Sequence, residues 1–204
     1  MRRRLRQQWP WLALGGVALA AALVLAWTLQ QLYRDDDGGL PQGGPIELSS
    51  TVGAFSLDQL DDGQLAVVFF GYTHCPDVCP MSLSVMRQAL ARLDAGERQR
   101  VVPLLISVDP ARDDLERLRE YVGFFGPQFI GATGSQTQLA DIAERYGVFW
   151  RKVEAGDSAM GYTVDHSASL LIVDNDGDIL ERVMYSPTPG LLTETLDQVL
   201  AATQ

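Results

Sequence analysis

The sequence predicts an α/β protein: a three-layer sandwich with a mixed sheet, preceded by one N-terminal transmembrane helix. Three observations carry this. A run without charge extends from Trp9 to Leu29. Beyond it, short apolar runs alternate with apolar stripes at helical spacing, the order that builds helices onto a largely parallel sheet. Near the C-terminus, Asn175-Asp176-Gly177 supplies the tight reversal of a hairpin, which adds antiparallel strands.

The chain opens on Met1-Arg2-Arg3-Arg4-Leu5-Arg6, and the uncharged run that follows has about the 20 residues needed to cross a bilayer core as helix. Trp9, Trp11, Trp27 and Tyr33 lie near its ends, where amphipathic rings prefer the headgroup region. Arginines before the run and Asp35-Asp36-Asp37 after it orient the N-terminus to the cytoplasm. The small residues of Leu19-Ala20-Ala21-Ala22 fall inside the run rather than after it, which favours an uncleaved anchor over a signal peptide. Residues 1–34 are therefore expected to be a cytoplasmic tail and anchor, 35–45 a flexible Asp/Gly/Pro tether, and 46–204 one domain. The expected location is the bacterial inner membrane, single-pass, with the domain in the periplasm.

Charge is divided unevenly. Five of the 16 basic residues and no acidic one precede Asp35, so the rest of the chain carries 11 basic against 26 acidic residues, a formal −15. Nucleic-acid binding relies on basic patches and is excluded on this balance. The acidic surface suits solubility or a basic protein partner.

Within the domain, Phe55-Ser56-Leu57 reads as a short strand and Asp61-Asp62-Gly63 as a turn. Leu65 to Phe70 is apolar throughout, as in a central strand covered on both faces. Leu83, Met86, Leu90 and Leu93 form one helical stripe. Val101 to Val108 is the next strand, and Leu115, Leu118, Tyr121 and Val122 mark a helix closing near Gly123 or Gly126-Pro127. Phe129-Ile130 reads as a brief strand, and Leu139, Ile142, Ala143 and Tyr146 as a third helix. Val148 to Val153 and Tyr162 to Val173 are extended, Ile179 to Met184 returns after the hairpin turn, and Leu191, Leu192, Leu196 and Leu200 close the chain as a helix. This layout is similar to the thioredoxin-like one, with extra segments. Its ligand site is expected beyond the carboxyl ends of the parallel strands.

That is where Gly71-Tyr72-Thr73-His74-Cys75-Pro76-Asp77-Val78-Cys79-Pro80 lies, with the chain's two cysteines and one of its two histidines. Two cysteines at this spacing can close a disulfide, exchange electrons with another dithiol, or share a soft metal ion. Pro80 suits the first helical position, which would put Cys79 at a helix mouth and favour its thiolate. A bridge closing so small a loop adds little stability, so a reactive pair is favoured over a structural one. His166 precedes a strand in the region that thioredoxin-like folds bring beside the reactive cysteines, where thioredoxins usually carry a proline. Two thiolates and one imidazole suit copper(I) better than zinc, whose structural sites close with four protein ligands. His74 is expected beside the site rather than in it.

Three segments then resemble the signature segments of the Sco/SenC family: the cysteine loop from Gly71 to Pro80, Ile106-Ser107-Val108-Asp109-Pro110-Ala111-Arg112-Asp113, and Val164-Asp165-His166-Ser167. The resemblance runs from about Pro45 to the C-terminus. It implies a membrane-anchored, thioredoxin-like copper protein that helps build the binuclear copper centre of cytochrome c oxidase. It implies copper binding by Cys75, Cys79 and His166, with Cys75 and Cys79 also able to form a redox disulfide. The implied partners are the copper-bearing oxidase subunit and other copper chaperones. The chief alternative is a thiol-disulfide oxidoreductase that reduces the cysteines of that centre; no conventional enzyme activity is otherwise expected. A peroxiredoxin-like reading is disfavoured, because Tyr72 stands where that class places a threonine. The segment from Asp109 to Asp113 reads equally well as a turn with Asp113 capping the next helix. Asp113-Asp114-Leu115 replaces the Asp-Thr-Pro of many relatives, and Leu170-Leu171 replaces an aromatic-containing pattern.

Overall fold

The computed structural model describes residues 23–25, 27–28, 41–154 and 161–203. The chain divides into two compact units, Met1–Leu40 and Pro41–Gln204. In the first, the described residues are helical and exposed. The remainder of the expected tail, anchor and tether up to Leu40 lies outside the described residues, and no helix among the described residues is long and apolar enough to cross a membrane.

The second unit begins at Pro41, inside the stretch expected to be tether. Gly43 N–H donates to the Arg145 carbonyl at 3.1 Å and Gly44 N–H to the Gly177 carbonyl at 2.9 Å, while Tyr146 OH donates to the Gly44 carbonyl at 2.6 Å. A Cβ on Gly177 would fall 2.2 Å from the Gly44 carbonyl oxygen and one on Gly43 2.1 Å from the Gly177 carbonyl oxygen, so the two backbones meet only because Gly43 and Gly177 carry no side chain. Glycine marks close approach here, not slack.

Strand β3 (Leu65–Gly71) is buried at every residue, and because successive side chains alternate faces, both faces must be covered. Parallel to it runs β4 (Val101–Ser107), and parallel to β4 runs β5 (Ile130–Thr133). On the other side β8 (Leu170–Val173) pairs antiparallel with β3, followed by β9 (Ile179–Val183) across the Asn175-Asp176-Gly177 turn. The remaining edge is a hairpin of β1 (Glu47–Ser50) and β2 (Gly53–Ser56), completing a seven-stranded mixed sheet in the order β2-β1-β5-β4-β3-β8-β9. Helices α1 (Val78–Leu90) and α5 (Gly190–Ala202) pack on each other, and α3 (Leu115–Gly123) packs on β5. Short α2 (Ala95–Gln99) and α4 (Gln136–Arg145) each begin at a capping box, on Asp94 and Ser135. The expected α/β sandwich with mixed sheet is thus observed.

Several elements depart from expectation. Glu47-Leu48-Ser49-Ser50 forms β1 although it offers a single large apolar side chain, and β5 extends to Thr133 rather than stopping at Ile130. Leu191, expected on the buried stripe of α5, is exposed. The most consequential difference is topological. β6 (Trp150–Glu154) and β7 (Tyr162–His166) pair only with each other, as a two-stranded sheet apart from the main one.

Candidate metal centre

The site forms where β3 ends and α1 begins. A Cβ on Gly71, the last residue of β3, would meet Cys79 Sγ at 3.0 Å and a Phe69 ring carbon at 2.7 Å. The missing side chain therefore lets the Cys79 sulfur lie against the strand. Helix α1 starts at Val78, two residues before the position expected from Pro80, so the proline sits within the first turn, where its missing N–H has no intrahelical partner to lose. Cys79 is fully buried and Cys75 is partly exposed. Both are free thiols.

The helix mouth serves Cys75, not Cys79. Cys79 N–H donates to Cys75 Sγ at 3.4 Å. A hydrogen bond from the Cys79 side chain, reinforced by His166 and by the N–H groups of Asp77 and Cys79, holds the Cys75 thiol down to about 3 against the cost of its burial. Burial pushes the Cys79 thiol up, and its hydrogen bond to the Cys75 sulfur and the charge there push it further. The thiolate expected at Cys79 is thus found at Cys75. Cys79 follows the first turn into the core, while the N–H groups point outward at the sulfur in the preceding loop.

His166, the last residue of β7, completes the group: its Nε2 lies 3.2 Å from Cys79 Sγ. Its Nδ1 lies 2.9 Å from the Ser167 carbonyl, which can only accept, so Nδ1–H donates there and Nε2 is the ring nitrogen that faces the sulfurs. The ring stands edge-on to Phe69 and Tyr72, with centroids 5.7 and 5.8 Å away. The donor atoms of Cys75, Cys79 and His166 all lie within 4.8 Å of one another, and among the described residues the group ends at these three. The set offers two soft sulfurs and one nitrogen, a poor match to the four-ligand closure of structural zinc and a good one to copper(I). His74 stands outside it, with Nδ1 3.1 Å from Thr73 Oγ1 and 3.7 Å from Asp113 Oδ1.

The chain from Val108 to Asp113 is more than a turn. Asp113 does not cap α3; Asp114 does, accepting from Arg117 N–H at 2.8 Å. Asp113 turns inward, fully buried, and accepts from Thr73 N–H at 3.0 Å, Thr73 OH at 2.6 Å and Ser107 OH at 2.7 Å. It ties the start of the cysteine loop to the end of β4. Asp109, also fully buried, pairs with Arg112 and accepts from Tyr162 OH at 2.8 Å. The sequence marks Tyr162 only as part of an extended segment. The available signal was two carboxylates directly after a buried parallel strand, where solvent-seeking residues are out of place unless bonded.

A family model described as SCO1/SenC matches residues 35–201. The chain belongs to the SCO1/SenC family. An SCO2-like protein of Rickettsia conorii is 35% identical over 166 residues, covering 81% of this chain and 78% of its own length. Among solved structures, Arabidopsis thaliana ScoI with copper bound is 32% identical, with a TM-score of 0.69 over 78% of this chain and 98% of that one. Bradyrhizobium japonicum ScoI with copper bound is 33% identical, with a TM-score of 0.67 over 78% and 99%. These Sco relatives share the sandwich, and Sco proteins whose structures carry copper are among them.

Proposed function

We propose that the protein binds copper(I) through Cys75 Sγ, Cys79 Sγ and His166 Nε2 and passes it to the copper-bearing subunit of cytochrome c oxidase. In this reading the anchor over Trp9 to Leu29 holds the domain at the periplasmic face of the bacterial inner membrane. The observation that carries it is the approach of His166 Nε2 to 3.2 Å from Cys79 Sγ, across 87 residues of chain. A redox dithiol has no need of that imidazole. The partly exposed Cys75 thiolate is the donor an incoming protein can reach and replace, while buried Cys79 holds its place. Binding must release the Cys79 proton, so affinity falls as the solution is acidified. Copper stoichiometry and ligand atoms of the purified, reduced chain, measured by X-ray absorption, test the proposal: one copper with two sulfurs and one nitrogen is expected. A Cys75→Ser, Cys79→Ser variant that bound copper equally well would overturn it.

A second reading is favoured by the opposed thiols. The Cys75 thiolate attacks a partner's disulfide and expels one partner thiolate; Cys79, losing its proton, then attacks the Cys75 sulfur and expels the second. The partner is reduced and a Cys75–Cys79 disulfide forms. His166→Ala separates the two readings, since it removes a metal donor and leaves the dithiol in place.

A further inference from the structure

The imidazole of His166 is the donor that the main sheet does not place. β7 pairs with β6 alone, and an isolated two-stranded hairpin is marginal in water. Its position must come from side chains reaching it from the body of the domain, and they converge on Tyr162, at the other end of β7 from His166. Arg112 donates from its terminal nitrogen to the Tyr162 carbonyl at 3.1 Å, and its guanidinium lies 3.6 Å from the centroid of the Tyr162 ring. On the other side, Arg112 is 5.7 Å from the centroid of the Tyr72 ring, the ring that also stands edge-on to His166. Asp109, fully buried, holds Arg112 by an ion pair and Tyr162 OH by a hydrogen bond. Tyr72 OH accepts from Val164 N–H at 3.2 Å, halfway along the strand.

We infer that Asp109 and Arg112 form a clamp, with Tyr162 as its grip, that registers the β6–β7 hairpin against the end of β4 and thereby holds His166 Nε2 within reach of the two sulfurs. They are positioning residues: neither is in the donor group. A buried carboxylate and an aromatic-stacked guanidinium are expensive to keep out of water unless bonded, and here their bonds go to the one element that the sheet leaves unsecured. The dithiol depends on other parts, β3, Gly71 and the first turn of α1. Breaking the clamp should withdraw the imidazole and leave the sulfurs where they are.

The affinity arm of the test rests on the copper proposal; the structural arm does not. In the full-length, reduced, metal-free chain in detergent, nuclear Overhauser contacts from the His166 ring to Phe69 and Tyr72 are expected to vanish in Arg112→Ala and weaken in Tyr162→Phe, which keeps the stack and the ion pair but loses the hydroxyl. Alkylation of Cys75 should be unchanged at neutral pH, where it stays a thiolate with or without the imidazole. Copper(I) affinity, read by competition with a chelator, should fall about tenfold or more in Arg112→Ala, the scale of losing support around a metal ligand. The double variant Arg112→Ala, His166→Ala should bind no more weakly than His166→Ala alone, because the clamp acts only through that ring. Ring contacts retained in both clamp variants, or losses that add in the double variant, overturn the inference. If Arg112→Ala does not fold, Tyr162→Phe decides it, with intact contacts and unaltered affinity as the refuting result. Should His166→Ala itself leave copper affinity untouched, the copper proposal falls and the ring contacts still judge the clamp.

Discussion

The dithiol and the imidazole reach the same few ångströms by unlike routes. Cys79 is set by the most buried part of the molecule, a seven-residue strand with no exposed position and a helix laid against it. His166 arrives on a two-stranded hairpin with partly exposed residues, secured from below by side chains. The sulfur half is as rigid as the core; the nitrogen half is as rigid as its attachments. Under the proposed function, in which the site holds copper and then releases it, that division is an advantage, because one donor can retreat without unfolding the others.

The largest effect that would sharpen this contrast is the loss of sulfur. Cys79→Ser should abolish copper binding, since it removes the buried donor shared by the other two, whereas His166→Ala should weaken it by about 10–100-fold. Chelator competition on the two variants checks the order. Equal losses would mean that the hairpin is as integral to the site as the core.

Next in size is Gly71→Ala. The added methyl would lie 3.0 Å from Cys79 Sγ and 2.7 Å from the Phe69 ring, with no room on a buried strand. Overpacking of this kind costs about 1–3 kcal/mol. Thermal unfolding should therefore show a lowered midpoint, with Cys79 displaced and His166 losing its neighbour. Asp113→Asn should cost less, about 1 kcal/mol, because one oxygen can still accept from Thr73 N–H and Ser107 OH while the bond from Thr73 OH must reverse. Its mark should fall on the cysteine loop at Thr73 rather than on the hairpin.

How much of this could be read in advance follows the same divide. The central strands, the four main helices and the 175–177 turn were legible because apolar periodicity reports burial directly. The three donors were legible by type and by family resemblance. What sequence did not disclose is which thiol would be the thiolate. That depended on a two-residue shift in the start of α1, a boundary that Pro80 allowed in either register. Nor did it disclose Asp113 and Tyr162 as supports. A carboxylate after a strand can cap the next helix or turn inward to bond a loop, and only the packed neighbours Thr73 and Ser107 decide between these.

The smallest expected effect tests whether the two halves are coupled at all. Cys75 has a folded-state value of about 3 against an ordinary thiol value of 9.0, so the thiolate is favoured by folding. That contribution is complete above pH 9.0 and fades as the pH falls toward about 3. Alkylation of Cys75 should therefore keep its rate between about pH 5 and pH 8, where an ordinary thiol slows about tenfold for each unit of acidification. The chief cause of the low value is the hydrogen bond from Cys79, with His166 a lesser one. His166→Ala should accordingly raise the Cys75 value and leave it well below that of a free thiol, while Cys79→Ala, which removes the donor, should move it further. Rate-against-pH profiles for the two variants separate the contributions. If the histidine variant shifted the profile as far as the cysteine one, the thiolate would owe its stability to the hairpin, and the division between a self-sufficient dithiol and a detachable imidazole would fail.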